Sequence, residues 1–394
     1  MIAVILEGKL NTSVSFRAIS QLFGIFALCL NLKVRKPSHT TVMNWVHKVG
    51  LYQLSRKKRK ADDWVIILDH SIQLGCEKLF VVLGIRESEI DFTRPLRFQD
   101  LESLALVAKD KWDGEVIRDC LIELKGEIGN IIYAVGDYGR DIKKGLELAE
   151  IKHVHDISHK FALILKKIYE KNEDFQELMR KAAQMAKKLA QTEFAYIIPP
   201  KRRTKSRFQN MDIIVTWAAK VLKRLKGRKI EKKVREKIKW VKKYQQLIEE
   251  LSEINKVIRK IEKMLKTSGL SKKNVKKCRL ILKNLTTENG RTVGKEISEY
   301  LKETILLLPG NDSILCSSDI LESSFGKYKN YLSNNAMAGL TNLVLCIAAF
   351  TSSLEKCEIK EALETTTVAE VKQWAKQNVG EETLLQKRRK FLAA

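Results

Sequence analysis

Two kinds of hydrophobic pattern divide the chain. Between residues 61 and 159, short apolar runs rich in β-branched residues alternate with helical patterns, which predicts an α/β fold whose mixed sheet has parallel members. The predicted strands are Trp64–Asp69, Leu79–Ile85, Ile131–Gly136 and Lys152–Asp156, with a turn at Leu74-Gly75-Cys76. Helices are predicted on either side of the third of these strands, at Gly114–Lys125 and Tyr138–Glu150.

From residue 160 onward, apolar residues recur every three or four positions. Apolar residues recur at these spacings from Ile230 to Leu265, and no proline occurs between Pro200 and Pro309. This pattern predicts an all-helical domain over residues 160 to 308, which Pro309 and Gly310 close.

The first 55 residues predict two short helices around a loop. The first helix begins at Phe16 and stops at Gly24, and the second follows the cap Pro37-Ser38 and stops at Gly50. The second has an apolar face, and five side chains of types that contact bases and phosphates are predicted to point outward: Thr40, Thr41, Asn44, His47 and Lys48. We interpret the region as a helix-turn-helix-like DNA-binding module; a small helical pair that caps the core is the alternative.

Charge is concentrated in two places. The chain has 394 residues and a formal charge of +26. Residues 201 to 280 contain 28 Lys and Arg against 7 Asp and Glu, and residues 31 to 60 contain 9 Lys and Arg and no acid. The rest is close to neutral. Such concentration indicates a polyanionic partner, although a solvated lysine-rich helix surface would have the same composition.

The spacing of the cysteines and the hydropathy of the chain exclude several classes of protein. The seven cysteines are widely spaced and form no CxxC pair, which argues against a structural zinc site and against a disulfide framework. No run of 18 uncharged apolar residues exists, and the run Met1–Leu6 meets Glu7 too early for a signal peptide. We therefore expect no membrane association and a cytoplasmic, nucleoid-associated protein.

Three acids stand in distinctive settings. Asp69 ends an apolar strand, Asp137 follows another, and Glu322 lies in the helical run Asp319–Lys329. A carboxylate at the end of a buried strand loses hydration unless it is paired or holds a cation. Capping of the next helix is the alternative for either aspartate.

These residues resemble the DDE transposases of insertion sequences. The resemblance covers roughly residues 13 to 350, and its features are an Asp in the first strand, a second Asp after the fourth strand, the motif Asp156-Ile-Ser-His159 on a following strand, and a Glu on a late helix after a long insertion. It implies an RNase H-like sheet interrupted by a helical insertion. The implied division is 1–55 for the DNA-binding region, 61–159 and 309–355 for the catalytic core, 160–308 for the insertion and 356–394 for a helical tail.

By the same resemblance, Asp69, Asp137 and Glu322 are expected to form the catalytic triad and to hold two Mg²⁺ or Mn²⁺ ions. Lys329 stands seven residues after Glu322, as in one branch of that family, and Lys327 and Lys329 are expected to contact DNA. Ser318 and Leu315 replace the Arg and Tyr of that branch. Two other acids could take these places: Asp156 could replace Asp137 as the second metal ligand, and Asp319 could replace Glu322. The run Ser317-Ser318-Asp319 is more typical of a helix N-terminus.

The expected activity is cleavage of double-stranded DNA at element ends and strand transfer into target DNA. The expected assembly is a homodimer in a synaptic complex, without a nucleotide cofactor, in which the insertion's long helix could supply the dimer contacts. Two alternatives remain at this point: a structure-specific RNase H-like nuclease, and a transposase-derived DNA-binding protein without catalysis. Trp217 could stack on a flipped base or belong to the core of the helical domain.

Overall fold

The computed structural model describes residues 1–74, 77–201, 208, 211–227, 230–308, 310, 312–332, 340–379 and 384–393, with backbone only at 71–74 and 384. The predicted turn at Gly75-Cys76 and the predicted domain limit at Pro309 lie outside these residues. Contacts divide the chain into two compact units. The sheet unit comprises Met1–Asp91, Pro95–Val154 and Ser318–Ala394, and the helical unit comprises Phe92–Arg94 and His155–Ser317.

The described residues form five strands and seventeen α-helices. The strands are β1 (Ala61–Leu74), β2 (Glu77–Arg86), β3 (Glu102–Lys109), β4 (Gly129–Gly136) and β5 (Lys152–His155). The helices are α1 (Ile2–Leu10), α2 (Phe16–Cys29), α3 (His39–Ser55), α4 (Gly114–Ile128), α5 (Arg140–Leu148), α6 (Ile157–Tyr169), α7 (Glu173–Leu189), α8 (Met211–Lys226), α9 (Lys232–Ile238), α10 (Gln245–Ser268), α11 (Lys272–Leu282), α12 (Glu288–Leu307), α13 (Asp319–Leu332), α14 (Leu345–Ala349), α15 (Lys356–Thr365), α16 (Val368–Asn378) and α17 (Leu384–Ala393).

The sheet has the strand order β3-β2-β1-β4-β5. β1 pairs antiparallel with β2, β2 pairs antiparallel with β3, and β1 pairs parallel with β4. A meander of three antiparallel strands that continues into parallel strands through helical crossovers is the arrangement of an RNase H-like fold. The predicted fold class, an RNase H-like mixed sheet with a helical insertion, is therefore confirmed.

The two faces of the sheet pack against different helices. Alternate residues of β1, namely Trp64, Ile66 and Leu68, form one core with α4 and α5. Because side chains alternate along a strand, Val65, Ile67 and Asp69 point to the opposite face. Three further helices contact the sheet: α13 packs against β1, while α3 and α14 pack against β3.

Helices from the two ends of the chain form one layer. Val46 and Val49 of α3 pack in a single cluster with Phe350, Leu354 and Ile359 from the C-terminal part. Polar contacts join the same segments: the Gln53 amide donates to the Glu358 carboxylate at 2.7 Å. The first 55 residues and the C-terminal residues therefore share a hydrophobic core.

The end of α1 and the second half of α13 are joined by side chains that bind backbone carbonyls. The hydroxyl of Tyr331 donates to the carbonyl of Lys9 at 2.9 Å, and the Lys327 ammonium donates to the carbonyl of Leu10 at 3.4 Å. The Lys9 ammonium lies 3.3 Å from the centroid of the Tyr331 ring and donates to the Val14 carbonyl at 2.7 Å. Burial lowers the pKa of Lys9 to about 8.

Gly50 allows α3 to pack closely on α14. A Cβ atom at this position would lie 2.1 Å from the carbonyl oxygen of Leu345. We expect Gly50→Ala to lower the free energy of unfolding by about 3 kcal/mol, because a backbone atom of α14 would have to move. Urea denaturation measures this change.

The matched control for this substitution is Gly126 in α4, where no atom lies within 4 Å of the added Cβ. Gly126→Ala should stabilise the protein by about 0.5–1 kcal/mol, since alanine is the better helix former. Equal effects of the two substitutions would contradict the close packing of α3 on α14.

The helical unit is organised around its longest helix. Ile248, Leu251 and Ile254 are among the residues that α10 buries, and this helix packs against α6, α8, α11 and α12. The Trp217 indole donates to the Ile197 carbonyl at 3.2 Å, and its ring lies 6.4 Å from that of Trp240. These contacts favour the interpretation of Trp217 as a residue of the helical core.

Several predicted boundaries were wrong. Both α2 and α3 continue for five residues past their predicted stops at Gly24 and Gly50. Two elements, α1 and β3, were not predicted at all. None of the described helices combines the length and the apolar character needed to cross a bilayer.

Candidate active site

The two predicted aspartates lie at the same end of two neighbouring strands: Asp69 lies in β1, and Asp137 follows directly after the last residue of β4. The parallel register pairs Ile67 with Val135, so each aspartate lies two residues beyond the last paired position. Because β1 and β4 run parallel, both residues lie toward the same edge of the sheet. Asp69 is only 8% exposed.

Asp137 also organises the turn that follows its strand. One carboxylate oxygen accepts a hydrogen bond from the Gly139 amide at 3.0 Å, just before α5 begins. A Cβ atom on residue 139 would lie 3.1 Å from that oxygen, and one on Gly136 would lie 3.1 Å from the carbonyl oxygen of Leu68. The two glycines therefore permit close packing around Asp137.

Two imidazoles border these carboxylates, and sequence reasoning missed both. His70 follows Asp69 and its Nε2 lies 3.9 Å from a carboxylate oxygen of Asp141. The ring of His153 stacks on that of Tyr138 at 5.3 Å. Burial lowers the pKa of His153, and its neighbours Gly136 and Asp137 act in the opposite direction. No sequence motif distinguishes these histidines, because the sheet register brings them here.

Glu322 lies in the first turn of α13, a helix that packs against β1. The helix buries Leu321, Phe325 and Tyr328, while Glu322 is exposed. Asp319 is the first residue of α13, as the helix N-terminus interpretation predicts.

The carboxylate pair suits a hard divalent cation. Carboxylate oxygens are the ligands that Mg²⁺ and Mn²⁺ prefer, and a cation relieves the repulsion between adjacent carboxylates. Across the described ranges, no three His, Cys, Asp or Glu side chains gather closely enough to be recognised as a metal site. The structure thus places Asp69 and Asp137 at the ends of neighbouring parallel strands, and a metal site formed by Asp69, Asp137 and Glu322 remains a prediction.

Asp156, the rival of Asp137, caps a helix. Its carboxylate accepts the amide of His159 at 2.8 Å, and Asp156 is the N-cap of α6. This geometry explains the Asp156-Ile-Ser-His159 motif as a helix start in the helical unit.

The two lysines after Glu322 have different surroundings. Lys329 is exposed, and its spacing of seven residues places it on the same side of α13 as Glu322. The Lys327 ammonium instead lies 4.5 Å from the centroid of the Phe98 ring and 5.0 Å from that of Phe350. Burial lowers its pKa. The prediction of a DNA contact by Lys327 therefore conflicts with its packing.

The second predicted helix of the DNA-binding region, α3, is largely enclosed by other helices. Thr40 is exposed and Thr41 and Asn44 are half-buried, so the N-terminal turns of α3 remain accessible. The outward orientation predicted for His47 is wrong: the residue is 1% exposed, because α3 is covered by helices on more than one side. Lys48 is half-buried, and its ammonium donates to the carbonyl of Leu363.

Burial lowers the pKa of His47 to about 4, and neither ring nitrogen has a hydrogen-bond partner. The folded protein keeps this imidazole neutral while the unfolded chain protonates it near pH 6.5. The native state should consequently lose up to about 3 kcal/mol of stability as the pH falls from 6.5 to 4. His47→Met should remove this loss, as measured by urea denaturation at several pH values.

The exposed His39 provides the control for His47, since His39→Met should leave the pH dependence of the wild type unchanged. Parallel stability curves for the wild type and His47→Met would contradict the burial of His47.

Comparisons with known proteins add one structural likeness. The chain matches no protein-family model and no curated protein. Among solved structures it is similar to a chain of the Drosophila P element transposase strand transfer complex, with 11% identity, a TM-score of 0.44, and coverage of 91% of this chain and 92% of that chain. The strand order and register, rather than this likeness, establish the fold.

Proposed function

We propose that this protein is a DDE-type transposase that cuts DNA at the ends of a mobile element and joins those ends to target DNA. The single observation that supports the proposal is the arrangement of β1 and β4 as parallel neighbours in an RNase H-like sheet, with Asp69 in β1 and Asp137 directly after β4. The helix that carries Glu322 packs against β1.

The three carboxylates Asp69, Asp137 and Glu322 would hold two divalent ions. Bound Mg²⁺ or Mn²⁺ would supply a lowered pKa for water and charge neutralisation at the reacting phosphate. Because Asp69 lies on the central strand of the sheet and is almost fully buried, its carboxylate is fixed before DNA arrives. Such a fixed position reduces the reorganisation that the reaction requires.

The proposed reaction has two stages. Hydrolysis breaks the bond between phosphorus and the 3′ oxygen at the element end, leaving a 3′ hydroxyl and a 5′ phosphate. The 3′ hydroxyl then attacks a target phosphodiester, and the new bond forms as the target strand breaks. A homodimer would hold two element ends for this purpose.

The test of the proposal uses the DNA that flanks the gene. Duplexes from both flanks, searched for inverted repeats by footprinting, are incubated with the protein and Mg²⁺, and strand cleavage and joining are followed on denaturing gels. Cleavage that depends on the repeats and on the cation supports the proposal. Cleavage of any branched duplex regardless of sequence would instead indicate a structure-specific nuclease, and binding without cleavage would indicate a protein that only binds DNA.

The lysine pair of α13 offers a matched test of DNA contact. Lys329→Met should weaken DNA binding by several-fold and lower the slope of log affinity against log salt by about 1, because one phosphate contact is lost. Lys327→Met should change neither, since its ammonium is held between aromatic rings. Fluorescence anisotropy at several salt concentrations measures both quantities. A larger loss with Lys327→Met would contradict the assignment.

A further inference from the structure

Helix α2 is apolar on two opposite sides. Its inner side buries Phe23 and Ala27, which pack with Ile5 of α1 and Val42 of α3. Its only charged residue is Arg17. A helix that is apolar on two opposite sides is normally covered on both, whereas among the residues that the structure describes the outer side of α2 is exposed.

The outer side of α2 forms a continuous apolar surface, which we call the α2 face. Four of its residues follow the spacing i, i+3, i+4 and i+7 along the helix and are all exposed: Leu22, Ile25, Phe26 and Cys29. Ile25 is 57% exposed and Phe26 is 60% exposed. Leu28 extends this surface within the helix. In the loop that follows, the exposed Leu30, Leu32 and Val34 alternate with the exposed Lys33, Arg35 and Lys36, so the α2 face ends with the helix.

The α2 face is large enough to be the centre of a protein interface. The exposed area of its residues Leu22, Ile25, Phe26, Leu28 and Cys29 is on the order of 500 Å², which is at the upper end of the largest apolar patches of monomeric proteins. A standard interface buries about 800 Å² on each partner. The α2 face would therefore supply more than half of the area that a partner of similar size covers.

We propose that the α2 face is the contact between two copies of this chain, with the two α2 helices packed antiparallel about a twofold axis. An isologous contact requires a surface that is complementary to itself, and an uncharged apolar stripe meets that requirement. Two copies of a chain with a charge of +26 repel each other over most of their surfaces, and the absence of charge on the α2 face removes this repulsion locally.

The long helix of the helical unit is less suited to this contact. Over Gln245–Ser268, no large hydrophobic side chain is exposed. An interface there would have to be built from lysine and glutamate side chains, which are depleted at interface centres. The α2 face therefore replaces α10 as the predicted dimer contact.

The antiparallel arrangement fixes which residues meet. With the axis between Ile25 and Phe26, Leu22 of one copy lies opposite Cys29 of the other. Because α3 packs on the inner side of α2, the accessible first turns of the two α3 helices would be related by the same axis. This symmetry would suit two inverted element ends, a consequence that rests on the proposed function, whereas the α2 face itself does not.

The first experiment measures the oligomeric state of the full chain without DNA or metal. Sedimentation velocity after nuclease treatment, in high salt, should show a dimer at micromolar concentration. The double substitution Ile25→Ser with Phe26→Ser should raise the dimer Kd by about 100-fold or more. Circular dichroism should be unchanged, because these side chains are exposed in the single chain. A monomeric wild type, or a double variant that still dimerises, would overturn the proposal.

Two control substitutions remove exposed apolar side chains elsewhere. Leu280 is 64% exposed in the helical unit and Phe391 is 80% exposed on α17. Leu280→Ser and Phe391→Ser should leave the dimer intact. Loss of the dimer with Phe391→Ser alone would overturn the assignment of the contact to α2. A monomeric wild type that floats with neutral phosphatidylcholine vesicles would overturn it as well.

A second experiment tests the antiparallel geometry through the native Cys29, whose thiol is exposed. Mild oxidation of Leu22→Cys should produce a reducible covalent dimer, because residue 22 of each copy lies opposite Cys29 of the other. The chain without this substitution should cross-link at least ten times more slowly through Cys29. Equal cross-linking of both proteins through Cys29 would overturn the antiparallel arrangement. Since neither experiment measures DNA cleavage, failure of the dimer and failure of the proposed activity are distinguishable.

Discussion

Replacing Asp69 by Asn is expected to slow cleavage of an end-containing duplex by about 10³-fold or more, which corresponds to about 4 kcal/mol of lost transition-state stabilisation. The substitution keeps the size of the side chain and removes the charge that would bind the divalent ions. Affinity for the same duplex should be unchanged or slightly higher, because a negative charge near phosphate is removed. Single-turnover cleavage on denaturing gels and anisotropy titrations measure the two effects separately.

The companion substitutions are Asp137→Asn and Glu322→Gln, for which we expect the same separation of cleavage from binding. Asp119 provides the control, since it is exposed on α4, the helix that covers the other face of the sheet. Asp119→Asn should leave cleavage within about twofold of the wild type, as is usual for a surface substitution. If Asp69→Asn or Glu322→Gln cleaves DNA normally, the proposed triad is wrong.

Affinity for DNA should fall steeply with salt, by about 10³ to 10⁵ between 50 and 200 mM if six to ten phosphates are contacted. The helical unit contains most of the excess charge, and on α11 four exposed lysines occupy two successive turns: Lys272, Lys273, Lys276 and Lys277. Changing these four residues to Gln should lower the salt slope by up to about 4, because each released counterion contributes about 0.9. Anisotropy titrations over this salt range give the slope.

The matched control for α11 uses lysines that already have acidic partners. Lys181 and Lys243 lie 3.3 and 2.7 Å from the carboxylate of Glu177, and hydrogen bonds led by that from Lys243 lower the pKa of Glu177 to about 2. Changing these two lysines to Gln should alter the slope less than changing two lysines of α11. A flat salt response of the wild type would show that the lysine-rich surface is only solvated.

The sequence predicts those parts of the fold in which local pattern and burial agree. The β-branched run that ends at Asp69 forms the central strand, and the Gly136-Asp137 pair ends its parallel neighbour. Strand β3 was missed because its residues 102–109 mix buried, half-buried and exposed positions without a β-branched run. Local pattern was thus sufficient for the two strands that lead to Asp69 and Asp137 and insufficient for the edge of the sheet.

The errors at Gly50 and His47 have one cause. Glycine within a helical pattern commonly ends the helix, but here Gly50 continues α3 because the backbone of α14 occupies the space beside it. His47 is enclosed by the same layer of helices. Both depend on contacts with residues almost 300 positions later in the chain, and no local pattern contains that information. The position of Glu322 relative to the sheet could not be predicted for the same reason, since it depends on how α13 packs against the sheet.

The hydrogen bonds between α1 and α13 limit where the amino-terminal region can be separated from the rest of the chain. The carbonyl groups of Lys9 and Leu10 accept hydrogen bonds from the same helix that carries Glu322. An amino-terminal truncation intended to separate DNA recognition from catalysis would leave Tyr331 and Lys327 without those acceptors. The first ten residues are therefore part of the scaffold that holds α13, and amino-terminal regions exchanged between related chains should be joined after α1 rather than before it.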